Sequence, residues 1–237
     1  MASMLRNTLA RSRALMREEG LLSLLRHAVA FAGELSKRVY RRREVFLYHH
    51  HLIERDGSAF QPRLDEFELH IVESDAKANE LAEAGYEDFR QLFLLSGRNL
   101  SRGAVAFCVY VGQRLAHIGW VSMSDTSKQC VDPYPFHVAF DRGEACTGGT
   151  YTVPEYRGKG LMAYGYYERF EYLRKLGYTS SRNSVERGNV SSQRAHAKFS
   201  PEIVGTACFR RFLFRTRWTE CPFPDGPRIG MPPSPQY

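Results

Sequence analysis

Residues 145–162, ACTGGTYTVPEYRGKGLM, constrain the fold more than any other part of the chain. A run of strand-forming residues reaches Pro154, which cannot donate to a central ladder and so ends the strand. Beyond Arg157, Gly158, Lys159 and Gly160, residues Met162, Tyr166, Phe170 and Leu173 recur at spacings of four, four and three, which is one face of a helix. Gly177 closes that helix. The first N–H groups of a helix have no intrahelical partner, and the helix dipole favours negative charge beside them. Gly158 and Gly160 allow φ > 0 and a close approach of backbone to a ligand. Arg157 and Lys159 add positive charge. The segment is not a Walker loop, since no GKS or GKT occurs, nor a Rossmann fingerprint, since the third glycine is missing. It reads as a phosphate-holding loop or as a plain strand-to-helix turn.

The surrounding elements set the fold class. EVFLYHHHLI (44–53) and FELHIVE (67–73) read as strands, and KANELAEAGYEDFRQLFLLS (77–96) as a helix. AVAFCVYVGQRLAHIGWVSM (104–123) is a hairpin turning at Gly112 and Gln113. Residues 124–135 read as loop, FHVAF (136–140) as a strand, and ACTGGTYTV (145–153) as the strand before the turn. Gly148 and Gly149 inside that strand mark a bulge or a close approach by substrate. YTSSRNSV follows as a strand, NVSSQRAHAKF as a short helix capped by Asn189, and IVGTACFRRFLFR as a strand. This order predicts an α/β (α+β) domain with one mixed, mostly antiparallel sheet flanked by helices. The expected divisions are a helical extension over 1–43, a domain over 44–218 and an irregular Pro/Gly-rich tail over 219–237.

The net charge of +7 is local. Residues 1–43 hold ten basic and three acidic residues, which leaves 23 of each for the rest. A basic globular face for nucleic acid is therefore not expected. Within the extension, Leu21, Leu24, Leu25, Ala28, Phe31, Ala32, Leu35 and Val39 give an amphipathic helical pattern with a basic character. Such a helix can lie on an anionic membrane surface, dock a partner protein, pack on its own domain or form a homodimer contact. The acid-free start is also that of a mitochondrial presequence, though the helical pattern runs on through Glu18 and Glu19. No apolar run approaches the roughly 18–20 residues of a membrane span. Five scattered cysteines, with no CxxC pair, fit a reducing, cytoplasmic setting, with a peripheral membrane position as the variant. His49, His50 and His51 alternate faces on a strand and cannot all bind one ion, so no metal is expected.

VPEYRGKGL resembles the pyrophosphate-binding loop of the GNAT superfamily of acyl-CoA N-acyltransferases. Arg157 and Gly160 match the first two fixed positions of its R/Q-x-x-G-x-G/A element, and Met162 stands where Gly or Ala is usual. The segment from Asn189 resembles the family's N-x-x-A/S-x-x-x-Y-x-K element, with Asn189, Ser192 and Lys198 matching and His196 in the place of Tyr. Ser200 and Pro201 replace the Gly-Phe that follows. The resemblance covers roughly residues 65–215. It implies a GNAT-like fold, an acetyl-CoA or other acyl-CoA donor, no metal, and a small-molecule amine or amino sugar as acceptor. Cofactor contacts would come from Val153, Arg157, Gly158, Lys159, Gly160, Leu161, Met162, Asn189 and Ser192. Within those, Val153 would give the main-chain contact to the acyl carbonyl, and His196 would face the leaving thiolate as an acid. The family's strand glutamate has no counterpart in ACTGGTYTV; Glu144, just before it, is the candidate base, and Tyr151 a candidate substrate contact. The alternatives are a non-catalytic CoA-binding or scaffold module, or a membrane-surface enzyme using a longer acyl donor.

Overall fold

The computed structural model describes residues 40–92 and 96–229, without the side chains of 96–98. Of the expected helical extension over 1–43, residues 1–39, with the membrane or partner surface, lie outside the described residues, and Tyr40–Arg43 are not helical but open the first strand. No described helix is long and apolar enough to cross a membrane.

The strands are β1 (Tyr40–His51), β2 (Glu68–Val72), β3 (Val105–Val111), β4 (Arg114–Ser122), β5 (Glu144–Thr152), β6 (Ser180–Glu186), β7 (Glu202–Phe212), β8 (Arg215–Pro222) and β9 (Arg228–Ile229). The helices are α1 (Asp75–Glu83), α2 (Phe89–Leu92), α3 (Ser96–Ser101), α4 (Asp125–Val131), α5 (Leu161–Lys175) and α6 (Val190–Ala197). One sheet runs β2-β3-β4-β5-β6-β1-β7-β8, with β9 on β7. Pairing is antiparallel at β2/β3, β3/β4, β4/β5 and β6/β1, and parallel at β5/β6. Among the described residues two units divide the chain: residues 44–207 with 219–229, and 40–43 with 208–218.

In the larger unit, α5 lays Ala163, Tyr166, Phe170 and Leu173 against Val105, Phe107, Val121 and Ala145 of the sheet. Their spacing is the three-and-four rhythm that marked this helix in the sequence. The Gly112 hairpin forms as expected, with the glycine at φ +57.

Four expectations fail for local reasons. The helix over 77–96 stops at Ala84, because Gly85 takes φ +91 and closes it. Residues 124–135 hold α4, whose Ser124 hydroxyl accepts from the Ser127 N–H; a capped start went unread in a polar stretch. FHVAF forms no strand. The tail begins with strands β8 and β9 rather than irregular chain.

Strands β5 and β6 position the site. Their parallel pairing covers only Glu144–Cys146 and Ser180–Arg182. Beyond it, β5 stays with β4 as far as Thr152, while β6 stays with β1 as far as Glu186. The two neighbours therefore part in mid-sheet.

Candidate functional site

A cleft of about 480 Å³ opens beside the parted end of β5. Its walls are Thr150, Tyr151 and Thr152 of β5, Tyr156, Arg157, Gly158 and Gly160 of the turn, the first residues of α5 and one face of α6. Gly158 and Gly160 adopt φ +75 and +90. A Cβ on either would meet nothing closer than 3.6 Å, so the left-handed backbone, not crowding, calls for glycine. The turn is braced from outside. The Arg63 guanidinium donates to Gly158 O at 2.7 Å, and Arg63 N–H donates to Lys159 O at 2.8 Å. Arg157 Nε donates to Thr152 O at 3.1 Å, which holds that side chain over the cleft.

Helix α5 starts at Gly160 with no side-chain cap. Its first N–H groups are left to whatever enters the cleft. Asn189 Oδ1 accepts from Ser192 N–H at 3.1 Å and so caps α6, whose first turn faces the same space. Positions 191, 194, 195 and 198 form one helical stripe, and Arg194 and Lys198 bring two cations to the wall. With Arg157 the cleft carries three positive side chains, and no carboxylate lines it among the described residues.

The sequence reading placed most of this wall and missed part of it. Tyr151, Arg157, Gly158, Gly160, Leu161, Met162 and Asn189 all line the cleft. Lys159 instead lies 5.5 Å from the Tyr156 ring, and Ser192 is on the buried side of α6. Thr150, Thr152 and Arg194 were not foreseen; the spacing of Ser191, Arg194, Ala195 and Lys198 was the available signal for the last.

Three expected roles do not match the positions found. Val153 N–H donates to Ala116 O at 3.0 Å, so the one backbone donor of this residue is engaged and not open to an acyl carbonyl. Glu144 sits at the opposite end of β5, six residues or about 20 Å along the strand from Thr150. Its oxygens are engaged by Arg182 Nε at 3.1 Å and by Ala139 N–H at 2.7 Å. His196 points inward from α6 and is fully buried. Its Nε2 lies 3.1 Å from Asn183 Nδ2, its Nδ1 lies 3.0 Å from His50 Nε2, and its ring packs on Tyr166. Burial first, and the Arg169 charge second, hold its pKa down at about 3. A neutral, doubly engaged imidazole cannot supply an imidazolium proton.

Beneath the cleft lies a feature the sequence did not reveal. Two β5 residues, Gly149 and Thr150, oppose the single Gly119 of β4, and Gly149 takes φ +55. This is a β-bulge, which re-aims the side chains after it. Arg169 of α5, wholly buried, reaches into it. Its Nη1 donates to Thr150 Oγ1 at 3.2 Å, Gly148 O at 3.3 Å and Trp120 O at 3.4 Å. Arg169 Nε donates to Gly165 O at 2.8 Å, and the guanidinium stacks on Tyr166 at 3.8 Å. His117 Nδ1 meets Thr152 Oγ1 at 2.8 Å. On the far side of the bulge, a Cβ on Gly148 would lie 2.8 Å from Val131 O, so the close approach is made by the end of α4. Asp132, next in the chain, accepts from Ser184 Oγ at 2.6 Å and Ser184 N–H at 3.1 Å on the parted half of β6. Its burial raises its pKa.

No family model matches this sequence, and no curated protein matches it. Solved structures with a similar backbone include a conserved protein of unknown function from Staphylococcus epidermidis, at 9% identity over 76% of this chain and 65% of that one, with a TM-score of 0.46. A protein described as a GNAT-family acetyltransferase from Novosphingobium aromaticivorans aligns at 17% identity over 71% of this chain and 63% of that one, with a TM-score of 0.44. A GCN5-related N-acetyltransferase from Sphaerobacter thermophilus aligns at 14% identity over 83% and 58%, with a TM-score of 0.42. The chain thus spans about three fifths of the length of the structures it resembles.

Proposed function

We propose that this chain is an acyl-CoA-dependent N-acyltransferase that transfers an acyl group, acetyl in the simplest case, to the amine of a small molecule or amino sugar. One observation carries the reading. An uncapped helix start, two left-handed glycines and three cations face one cleft that no acid lines among the described residues, and that combination selects a polyphosphate group. Arg157, Gly158, Gly160, Leu161 and Met162 would hold the pyrophosphate, with Arg194 and Lys198 as the cationic wall and Asn189 at its edge. When bound, the donor supplies an activated thioester.

The chain's own part is to orient and to handle protons. Backbone N–H groups alternate sides along a strand. Since Val153 N–H faces β4, Thr152 N–H faces the opening, and it is the group proposed to polarise the acyl carbonyl. Asp132, held between the parted strands with a raised pKa, is proposed as proton acceptor for the incoming ammonium in place of Glu144. His196 is proposed as a positioning residue: it ties α6 to β6 and β1 through Asn183 and His50.

A second reading, a CoA-binding module without turnover, is favoured by the lack of any carboxylate or histidine on the cleft wall among the described residues. Thiol release from acetyl-CoA with a panel of amines separates the two. The enzyme reading expects amine-dependent release that falls at least about a hundredfold in Asp132→Asn while CoA affinity holds. Measurable CoA binding with no release for any amine would leave the binding module.

A further inference from the structure

The three consecutive histidines of β1 divide between the two faces of the sheet, as alternation requires. His50 turns toward α5, where its ring lies 4.9 Å from that of Phe170. His49 and His51 share the other face, and their rings meet edge to face at 4.8 Å. The neighbouring strand β7 contributes Glu202 between them. His49 Nδ1 lies 3.2 Å from Glu202 Oε2, and His51 Nε2 lies 3.1 Å from Glu202 Oε1. One ligand atom from each of the three residues can be chosen so that all lie within 4.8 Å of one another.

We propose that His49, His51 and Glu202 form a site for a divalent transition metal of the zinc type. Alternation, which excludes a triad of consecutive histidines, is what brings the first and third onto one face. Two imidazoles and one carboxylate suit zinc and its first-row neighbours, whereas calcium and magnesium prefer all-oxygen sites. Bonds of about 2.0–2.2 Å in a tetrahedron set neighbouring ligand atoms about 3.3–3.5 Å apart. The observed separations reach that geometry with movements of about an ångström. His51 is exposed, and solvent water completes the fourth position.

A second observation points the same way. Metal-bound histidines usually give their other ring nitrogen to a carboxylate, which fixes tautomer and orientation. The far nitrogen of His49, Nε2, lies 3.5 Å from Glu144 Oε1. Glu144 is itself held by Arg182 Nε at 3.1 Å and by Ala139 N–H at 2.7 Å. The Arg182 charge beside the site is thereby balanced. This gives Glu144, which lies far from the cleft, a role as the outer support of a metal ligand. A bound ion would pin β1 to β7 on the sheet face away from α5.

The test is calorimetric titration of Zn²⁺ into the full chain carrying no affinity tag, with cobalt absorption as a readout of coordination. The wild type is expected to take one equivalent at micromolar or tighter affinity and to give a tetrahedral Co²⁺ spectrum. His51→Ala and Glu202→Gln are expected to lose both. Glu144→Gln should weaken binding about ten- to a hundredfold. His70→Ala, which removes a half-buried histidine paired with Glu68 on strand β2, should change nothing. His51 is on the surface, so its variant is expected to fold. Binding weaker than millimolar, or binding that survives both His51→Ala and Glu202→Gln, would overturn the assignment.

Discussion

At the scale of residues, the buried histidines carry the sharpest consequence. His117 and His196 have pKa values held at about 3 by burial and by the Arg169 charge, and His50 is also held well below its ordinary value. The unfolded chain would protonate them near 6.5. Between 6.5 and about 3 the unfolded state binds more protons, so stability is full above pH 6.5 and falls as the pH drops through that window. Near pH 5 each such histidine costs roughly 2 kcal/mol. Thermal unfolding should therefore show a clear loss of Tm from pH 7 to pH 5, and His196→Gln should flatten that slope even if it lowers the plateau. An unchanged slope in the variant would show that His196 is not held neutral. None of this was legible beforehand. His196 was read from its place in a motif, whereas its chemistry follows from which face of α6 it occupies, and that is set by α6 packing on Tyr166.

The strands and helices show where sequence reading reaches and where it stops. Periodicity found α5, because Met162, Tyr166, Phe170 and Leu173 report a buried stripe directly. Turn and capping residues found the 112–113 hairpin and the start of α6 at Asn189. Neither signal found α4, whose residues are mostly polar and whose start is marked by a single capping serine, nor the parting of β5 from β6, which depends on long-range pairing. Gly148 and Gly149 signalled a bulge, but not its occupant. Arg169 lies on a helix whose inner face is otherwise mostly apolar, and Gly119 makes room for it: a Cβ there would lie 2.7 Å from the guanidinium carbon and Nη1. Gly119→Ala is thus expected to destabilise the fold by about 1–3 kcal/mol. Because Arg169 bonds Thr150, it should also weaken CoA binding. Denaturant unfolding and a CoA titration on the same sample check both effects. Wild-type stability in the variant would mean that Arg169 is not locked under the bulge.

For the whole molecule, the distribution of charge matters more than its total. Residues 44–237 are electrically balanced, so the three cations of the cleft are a local feature rather than a share of a general excess. A cleft of that kind, at an uncapped helix start, is the account's central claim. Arg194→Glu probes it directly. The substitution reverses one of the three cations on the cleft wall and leaves the left-handed turn 158–160 untouched. Calorimetric titration of CoA is predicted to show binding to the wild type and a loss of at least about tenfold in Arg194→Glu, with the variant still folded by circular dichroism. Equal CoA affinity in the two proteins would contradict the account.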